Sequence, residues 1–332
     1  MIERIADPDN IRAAYLLASR GKRHQEPVKA FGAALDAEVI RIREDLLSGS
    51  MAWGPYHRFQ IYDPKERSIC AAPFRDRVVQ HAIMAVCEPY FESYQVHDSY
   101  ACRKGKGLDA ALARARSYTQ RRRWYAKLDV RKYFDSVDHE VLKTLLWRRF
   151  KDRRLMAVFE SLIDGYSVHP GKGIPIGNLI SQFFANHYLA LWDHFAKEIL
   201  RVRHYVRYMD DFVFWSDDKD ELKGYAAAAK IFLYERLGLA LKPLCLNACS
   251  RGMTFLGYRM LPSGITLSRR SRKRFRAKLS AYQGRYERGL WTEQETARHV
   301  EPLMAFVQRA PEDRYPRRTV ETLGLCPRAR TA

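Results

Sequence analysis

No apolar run in this sequence approaches the roughly 18 residues of a membrane-spanning helix. The first residues, Met1-Ile2-Glu3-Arg4, carry no hydrophobic signal core. A cytoplasmic protein without a membrane partner is therefore expected. Cysteine is sparse and dispersed: Cys70, Cys87, Cys102, Cys245, Cys249 and Cys326 show no zinc spacing, and Cys245 with Cys249 read as reduced, partly buried thiols. The glycine-punctuated basic stretch Tyr100–Gly107 lacks the Walker spacing, which excludes a mononucleotide P-loop. Acidic side chains are outnumbered, 38 against 58 basic ones, giving a net charge of +20. Such an excess implies a polyanionic partner, although charge alone does not separate nucleic acid from acidic membrane. With 332 residues the chain can bury a substantial core and form two or three subdomains.

What is present is organised around Arg207-Tyr208-Met209-Asp210-Asp211-Phe212-Val213-Phe214-Trp215. β-favouring residues flank two adjacent carboxylates on both sides, the pattern of a hairpin with the aspartates at its turn. Two like charges on a tight turn are costly unless cations neutralise them. Hard oxygen donors of this kind suit Mg²⁺, shared between protein carboxylates and substrate phosphates. A bare Asp-Asp pair reads equally as a solvated turn. A third carboxylate weighs against that reading: Tyr125–Val130 is a short strand with Asp129 near its end, roughly eighty residues upstream. Three carboxylates from two strands can hold two Mg²⁺ about 3.5–4 Å apart, the arrangement of an in-line displacement at phosphorus. Asp135 and Asp138 have a simpler role at the start of a helix over 138–150, as caps for its free amides.

This strand aspartate with a hairpin Tyr-x-Asp-Asp resembles the palm of reverse transcriptases. The resemblance implies an α+β, right-hand polymerase fold: fingers with N-terminal helices over 1–120, an antiparallel palm sheet over 121–262, and a small, basic helical thumb over 263–332. It also implies that Asp129, Asp210 and Asp211 are catalytic and that, with Val130, they hold two Mg²⁺. Arg67-Ser68-Ile69 followed by Asp76-Arg77-Val78-Val79-Gln80 resembles the fingers, so Lys65 and Arg67, on a hairpin of 58–62 with 67–71, are candidates to grip a triphosphate. Solvated charge at a turn is the alternative for both. Phe134, five residues past Asp129, corresponds to the steric gate that excludes ribonucleotides; core packing accounts for it as well. Tyr208 and Met209, flanking the metal turn, are assigned to the primer–template.

The second decisive stretch is Ile176-Gly177-Asn178-Leu179-Ile180-Ser181-Gln182. Most reverse transcriptases carry Pro-Gln-Gly and then Ser-Pro here. Ile176 in place of Gln and Gln182 in place of Pro resemble the enzymes of diversity-generating retroelements. Ile176, Gly177 and Gln182 then line the incoming nucleotide. An apolar Ile176 removes a polar check on pairing, so low fidelity is expected; errors at template adenines follow from the family alone. The resemblance further implies a retroelement RNA template, a cDNA primer strand, dNTPs, and a small basic helical accessory protein, itself oligomeric, in a bacterial or phage setting.

The remaining expectations follow chain order. Apolar spacing over 26–48 predicts a helix stopped by Gly49, and a helix from Asp76 should end near Pro89. Leu239–Leu244 and Phe255–Tyr258 read as strands. The first resembles the motif whose Lys242 faces the triphosphate, and the second (Phe255, Leu256, Gly257, Tyr258) resembles the primer grip. Basic residues from Arg269 onward, with Arg272 and Arg276 named as duplex contacts, suit a thumb helix along a template–primer backbone. Thr292-Glu293-Gln294-Glu295 announces a capped helix over 293–309. No separate ribonuclease H or endonuclease domain is expected. Two alternatives stand beside the retroelement enzyme: a group II intron-type or other bacterial reverse transcriptase of ordinary fidelity, and a catalytically silent RNA-binding protein on a palm scaffold.

Overall fold

The computed structural model describes residues 1–62 and 66–322. The N-terminal helices α1 (Ile2–Ile5), α2 (Pro8–Ser19), α3 (Glu26–Ala33) and α4 (Leu35–Ser48) pack against one another and on α5 (Phe74–Glu92). The helix expected over 26–48 is thus two, broken at Ala34 (φ −111°, ψ 24°). The break lets Phe31 stack on Tyr15, with ring centroids 5.6 Å apart, and meet Phe74 edge-on at 5.3 Å. Gly49 ends α4 in the left-handed conformation, as its sequence position predicts.

Between α4 and α5, β1 (His57–Ile61) and β2 (Arg67–Ala71) pair antiparallel. Helix α5 continues through Pro89, contrary to the expected stop. Proline in the last turn costs only the bond to a carbonyl one turn back. The buried Phe91 just beyond it holds the turn against Phe150 (4.9 Å) and His187 (5.5 Å).

Helix α6 (Gly107–Arg121) leads into β3 (Trp124–Asp129), and α7 (Tyr133–Ser136), α8 (His139–Arg149), α9 (Arg153–Asp164) and α10 (Leu179–His194) follow, the last extended by a π turn over Phe195–Ile199. Asp138 caps α8 by accepting from the Glu140 and Val141 amides. A hairpin of β4 (Tyr205–Tyr208) and β5 (Asp211–Ser216), then α11 (Lys219–Leu237) and β6 (Cys245–Ala248), complete an antiparallel sheet in the order β4-β5-β3-β6. Alternation along β3 divides its side chains between two cores. Ala126 and Leu128 join Phe212 and Phe214 in the core under α10 and α11, while Tyr125, Val213 and Trp215 belong to a second core on the opposite face.

That second core is closed by β7 (Met253–Phe255), β8 (Tyr258–Leu261) and β9 (Gly264–Leu267), with α12 (Arg269–Glu287), α13 (Glu293–Gln308) and α14 (Tyr315–Thr322) beyond. Thr292 and Glu295 form the expected capping box on α13. Two strand expectations fail. Leu239–Leu244 forms no ladder, only a bridge of Leu241 to Val130; Pro243 has no amide to extend it, and Cys245–Ala248 takes the edge of β3 instead. Phe255–Tyr258 is a hairpin turn, not a strand. Leu256 (φ 50°) and Gly257 (φ 90°) are its two central residues, and positive φ at both marks the tight turn of a two-residue hairpin.

Candidate active site

Strand register builds the site. Asp129 stands directly opposite Asp211 across β3 and β5, and Tyr208 directly opposite Asp211 across β4 and β5. Directly paired residues share a face, so Tyr208, Asp211 and Asp129 form one row on the face of the second core. Asp210 lies in the two-residue turn before them with Met209, whose φ is 55°. Only Asp210 of the two adjacent aspartates is a turn residue; Asp211 opens β5.

The electrostatics are those of carboxylates held close and dry. Burial raises Asp210 above the usual carboxylate range, and the neighbouring Asp129 charge adds to the rise. Burial lifts Asp211 to about 6, against the opposing pull of Lys127. Lys127 Nζ lies 3.0 Å from Asp211 Oδ2, and Lys242 Nζ 2.6 Å from Asp129 Oδ1. Among the described residues no three acidic, histidine or cysteine side chains form a ready-made metal cage; lysines hold two of the three carboxylates. Asp211 Oδ1, however, is buried and has no hydrogen-bond partner. An orphaned anionic oxygen inside a protein is costly, and a hard cation is the partner its chemistry suits. The donor set therefore fits a divalent ion.

The nucleotide-side candidates fall into two groups. Ile174 N donates to the Phe134 carbonyl (2.9 Å) and Cys70 N to the Ile176 carbonyl (2.8 Å), so Phe134, Ile176, Gly177 and β2 form one continuous edge. A Cβ on Gly177 would lie 2.7 Å from Ile69 Cγ2, and φ is 110° there, so the strand approaches closely because the residue is glycine. Arg67 is exposed on β2 and its charge reaches Asp210. Lys242 joins this group through Asp129. Gln182 sits apart: its Oε1 accepts from Cys102 Sγ at 3.2 Å, toward the Tyr100–Gly107 loop. Lys65 lies outside the described residues.

The primer-side candidates are divided too. Phe255 and Tyr258 are fully buried, and Tyr258 donates its hydroxyl to the Phe306 carbonyl at 2.7 Å, so neither side chain faces a groove. Leu256 and Gly257 are partly exposed at the turn. The Gly257 carbonyl accepts from Ser271 Oγ (2.6 Å) and Ser268 N (3.0 Å), seating the start of α12. Arg272 is held in a fork by Asp313 (2.9 and 3.1 Å), which ties it to the fold while its side chain stays partly exposed, whereas Arg276 is exposed on α12.

Sequence reasoning missed two cations. Lys127 carries no motif of its own, although its place two residues before Asp129 puts it on the same strand face. Arg207, in the motif itself, has no exposed surface and pairs with Asp193; burial of an arginine has no local sequence signal.

The family pattern described as Reverse transcriptase (RNA-dependent DNA polymerase) matches residues 63–260. Protein YkfC of Escherichia coli (strain K12) is 29% identical over 181 residues, covering 50% of this chain and 47% of that protein. The group II intron-encoded protein LtrA of Lactococcus lactis is 25% identical over 173 residues, covering 49% of this chain and 29% of that protein. The chain thus spans less than half the length of either relative. Apo telomerase from Candida tropicalis shares the fold, with a TM-score of 0.53 at 13% identity over 82% of this chain and 59% of that one.

Proposed function

Because the chain belongs to the reverse transcriptase (RNA-dependent DNA polymerase) family, we propose that it copies an RNA template into DNA, extending a primer 3′-hydroxyl beside Asp129, Asp210 and Asp211. The observation that carries this reading is the Asp129–Asp211 pair in register across β3 and β5, with Asp210 on the adjoining turn. Asp129, Asp210 and Asp211, with Val130 beside them, would hold two Mg²⁺, whose chemistry when bound is to activate the hydroxyl and stabilise the leaving pyrophosphate.

The chain's own residues do the rest. Lys242 exchanges Asp129 for the triphosphate when a nucleotide enters. Arg67, on the strand facing Asp210, grips phosphate oxygens in a fork, with Lys65 nearby in sequence. Phe134 crowds a 2′-hydroxyl, and Ile176 and Gly177 border the base, with Gln182 one turn further into α10. Tyr208 and Met209 meet the primer terminus, and Leu256 and Gly257 pass it toward the basic face of α12 that carries Arg276. In this reading residues 1–120 are the fingers, 121–262 the palm and 263–332 the thumb.

The finer reading is the enzyme of a diversity-generating retroelement, acting in the cytoplasm on a retroelement RNA with an oligomeric basic accessory protein. Ile176-Gly177-Asn178 and Ser181-Gln182 support it. A second reading, a group II intron-type enzyme of ordinary fidelity, is favoured by the similarity to LtrA. Copying a defined RNA and sequencing the cDNA separates them: errors concentrated on adenines support the first, rare or evenly spread errors the second. Primer extension with Mg²⁺ tests the shared core. Asp211→Ala is expected to cost at least roughly 10³ in rate, about 4 kcal/mol; retained extension would remove the metal assignment.

A further inference from the structure

Arg207 is the most enclosed charge beside the site. Neither its side chain nor that of Asp193 has any exposed surface. Its Nε donates to both Asp193 carboxylate oxygens at 2.9 Å, and Nη2 to Oδ2 at 2.6 Å. Tyr205 fixes the same carboxylate by donating its hydroxyl to Oδ1 at 2.7 Å. Nη1 then makes two further bonds, to Asn186 Oδ1 at 3.0 Å and to the Met209 carbonyl at 3.1 Å. Nη2 reaches Gln95 Oε1 at 3.3 Å. Asn186 is itself anchored, donating from Nδ2 to the Ala101 carbonyl at 2.7 Å.

The bond to Met209 gives this cluster a consequence beyond stability. Met209 occupies the left-handed region without being glycine, a conformation that surrounding contacts must maintain. Its carbonyl belongs to the peptide that leads into Asp210. Asn186 and Asp193 both lie on α10, the helix that begins beside Ile176 and Gly177. One rigid helix therefore borders the nucleotide-side loop at its start and grips, further along, the guanidinium that holds the metal-side turn.

We propose that Arg207 is a positioning residue: locked by Asp193 and Asn186, it holds the Met209 carbonyl and so fixes the turn that presents Asp210. The catalytic importance of that turn rests on the polymerase reading; the holding of the turn does not.

Two variants test this in the full chain. Arg207→Lys keeps the charge and loses the fork, and Asn186→Ala keeps the Arg207–Asp193 pair while removing the side-chain bonds of Asn186 to Nη1 and to the Ala101 carbonyl. Hydrogen–deuterium exchange over 205–211, Mn²⁺ binding followed by the paramagnetic signal of the free ion, and steady-state primer extension are read together. Roughly tenfold faster exchange at the turn, with intact protection in β3 and α10, is expected of Arg207→Lys, and a smaller change of Asn186→Ala. Mn²⁺ binding weakens in parallel, and kcat falls on the order of 10- to 100-fold with little change in dNTP KM. Should Arg207→Lys fail to fold, Asn186→Ala decides. Wild-type exchange at the turn in the folded variants overturns the proposal, as does a loss of extension with turn exchange and Mn²⁺ binding unchanged. A turn that loosens in a chain that extends no primer even as wild type supports the positioning role and overturns the polymerase reading instead.

Discussion

Lys127 Nζ bridges Asp211 Oδ2, 3.0 Å away, and the Thr254 carbonyl at 3.1 Å. A single ammonium thus ties the carboxylate that opens β5 to the strand that ends at the Leu256–Gly257 turn. Its charge partly offsets the burial that lifts Asp211 to about 6. A carboxylate must be ionised to hold a divalent ion, so the proposed cation binding is expected to weaken as pH falls through that value. Lys127→Met removes the offset and is expected to move the acid limb of Mn²⁺ binding and primer extension to higher pH. Profiles of the two proteins between pH 5.5 and 8.5 (roughly two units on the alkaline side of Asp211) check this, and coincident acid limbs would exclude Lys127 from the account.

In the proposed nucleotide site, Ile176 offers a branched apolar surface in place of a hydrogen-bonding glutamine. Ile176→Gln is expected to lower misincorporation opposite adenine by roughly 10-fold, the scale of a restored polar contact of about 1.4 kcal/mol. Sequenced cDNA from one RNA copied by both proteins measures the effect. An identical error spectrum would locate fidelity elsewhere.

Gly257 has φ 90°, and a Cβ there would lie 3.1 Å from Phe306 Cζ and 3.2 Å from Ser271 Oγ. Gly257→Ala therefore combines a strained backbone with crowding at the seat of α12. A loss of about 1–3 kcal/mol in chemical unfolding is expected. Unchanged stability would show that the turn relaxes freely.

These residues also show how much was readable in advance. The strands around Asp129 and Asp211 were legible from the β-favouring residues that flank them, whereas the turn expected at both aspartates holds Asp210 alone. Gly49, Asp138 and Thr292 declared their helix ends through local capping chemistry. Phe255–Tyr258 was misread because Leu256 is not a turn residue by composition; only the surrounding sheet forces it to positive φ. Leu239–Leu244 was misread because strand pairing is settled by which segment reaches the edge of β3. Arg207 stayed hidden because its partner Asp193 is set by tertiary packing; the face of Lys127 followed from its place two residues before Asp129, but its pairing with Asp211 depends on which strand lies beside β3.

His187 supplies a pH test of stability independent of the site. Burial lowers it to about 4. Its Nε2 contacts the Leu145 carbonyl at 3.2 Å and its Nδ1 is buried without a partner, so a proton added there has nowhere to donate. The unfolded chain takes up that proton near 6.5 and the folded chain does not, so stability is lost as pH falls from about 6.5 toward 4. The rise of Asp211 acts with opposite sign over part of that window, which makes a difference measurement necessary. Relative to His187→Gln, the wild type is expected to lose roughly 2 kcal/mol between pH 7 and 4.5. Parallel urea titrations at several pH values measure it, and a constant difference would show that His187 takes up its proton without unfolding.

The register of β3 bears on which lengths of chain the site tolerates. Lys127 and Asp129 point one way only because each pairs with a fixed residue of β5. Deleting one residue between Trp124 and Asp129 would leave a strand able to hydrogen-bond, yet every side chain beyond the deletion would change sides. The acidic group would then enter the greasy interior beneath α10 and α11, while Val130 would confront Asp211. Substitution at these positions is a matter of degree, whereas a change of length here is all or nothing.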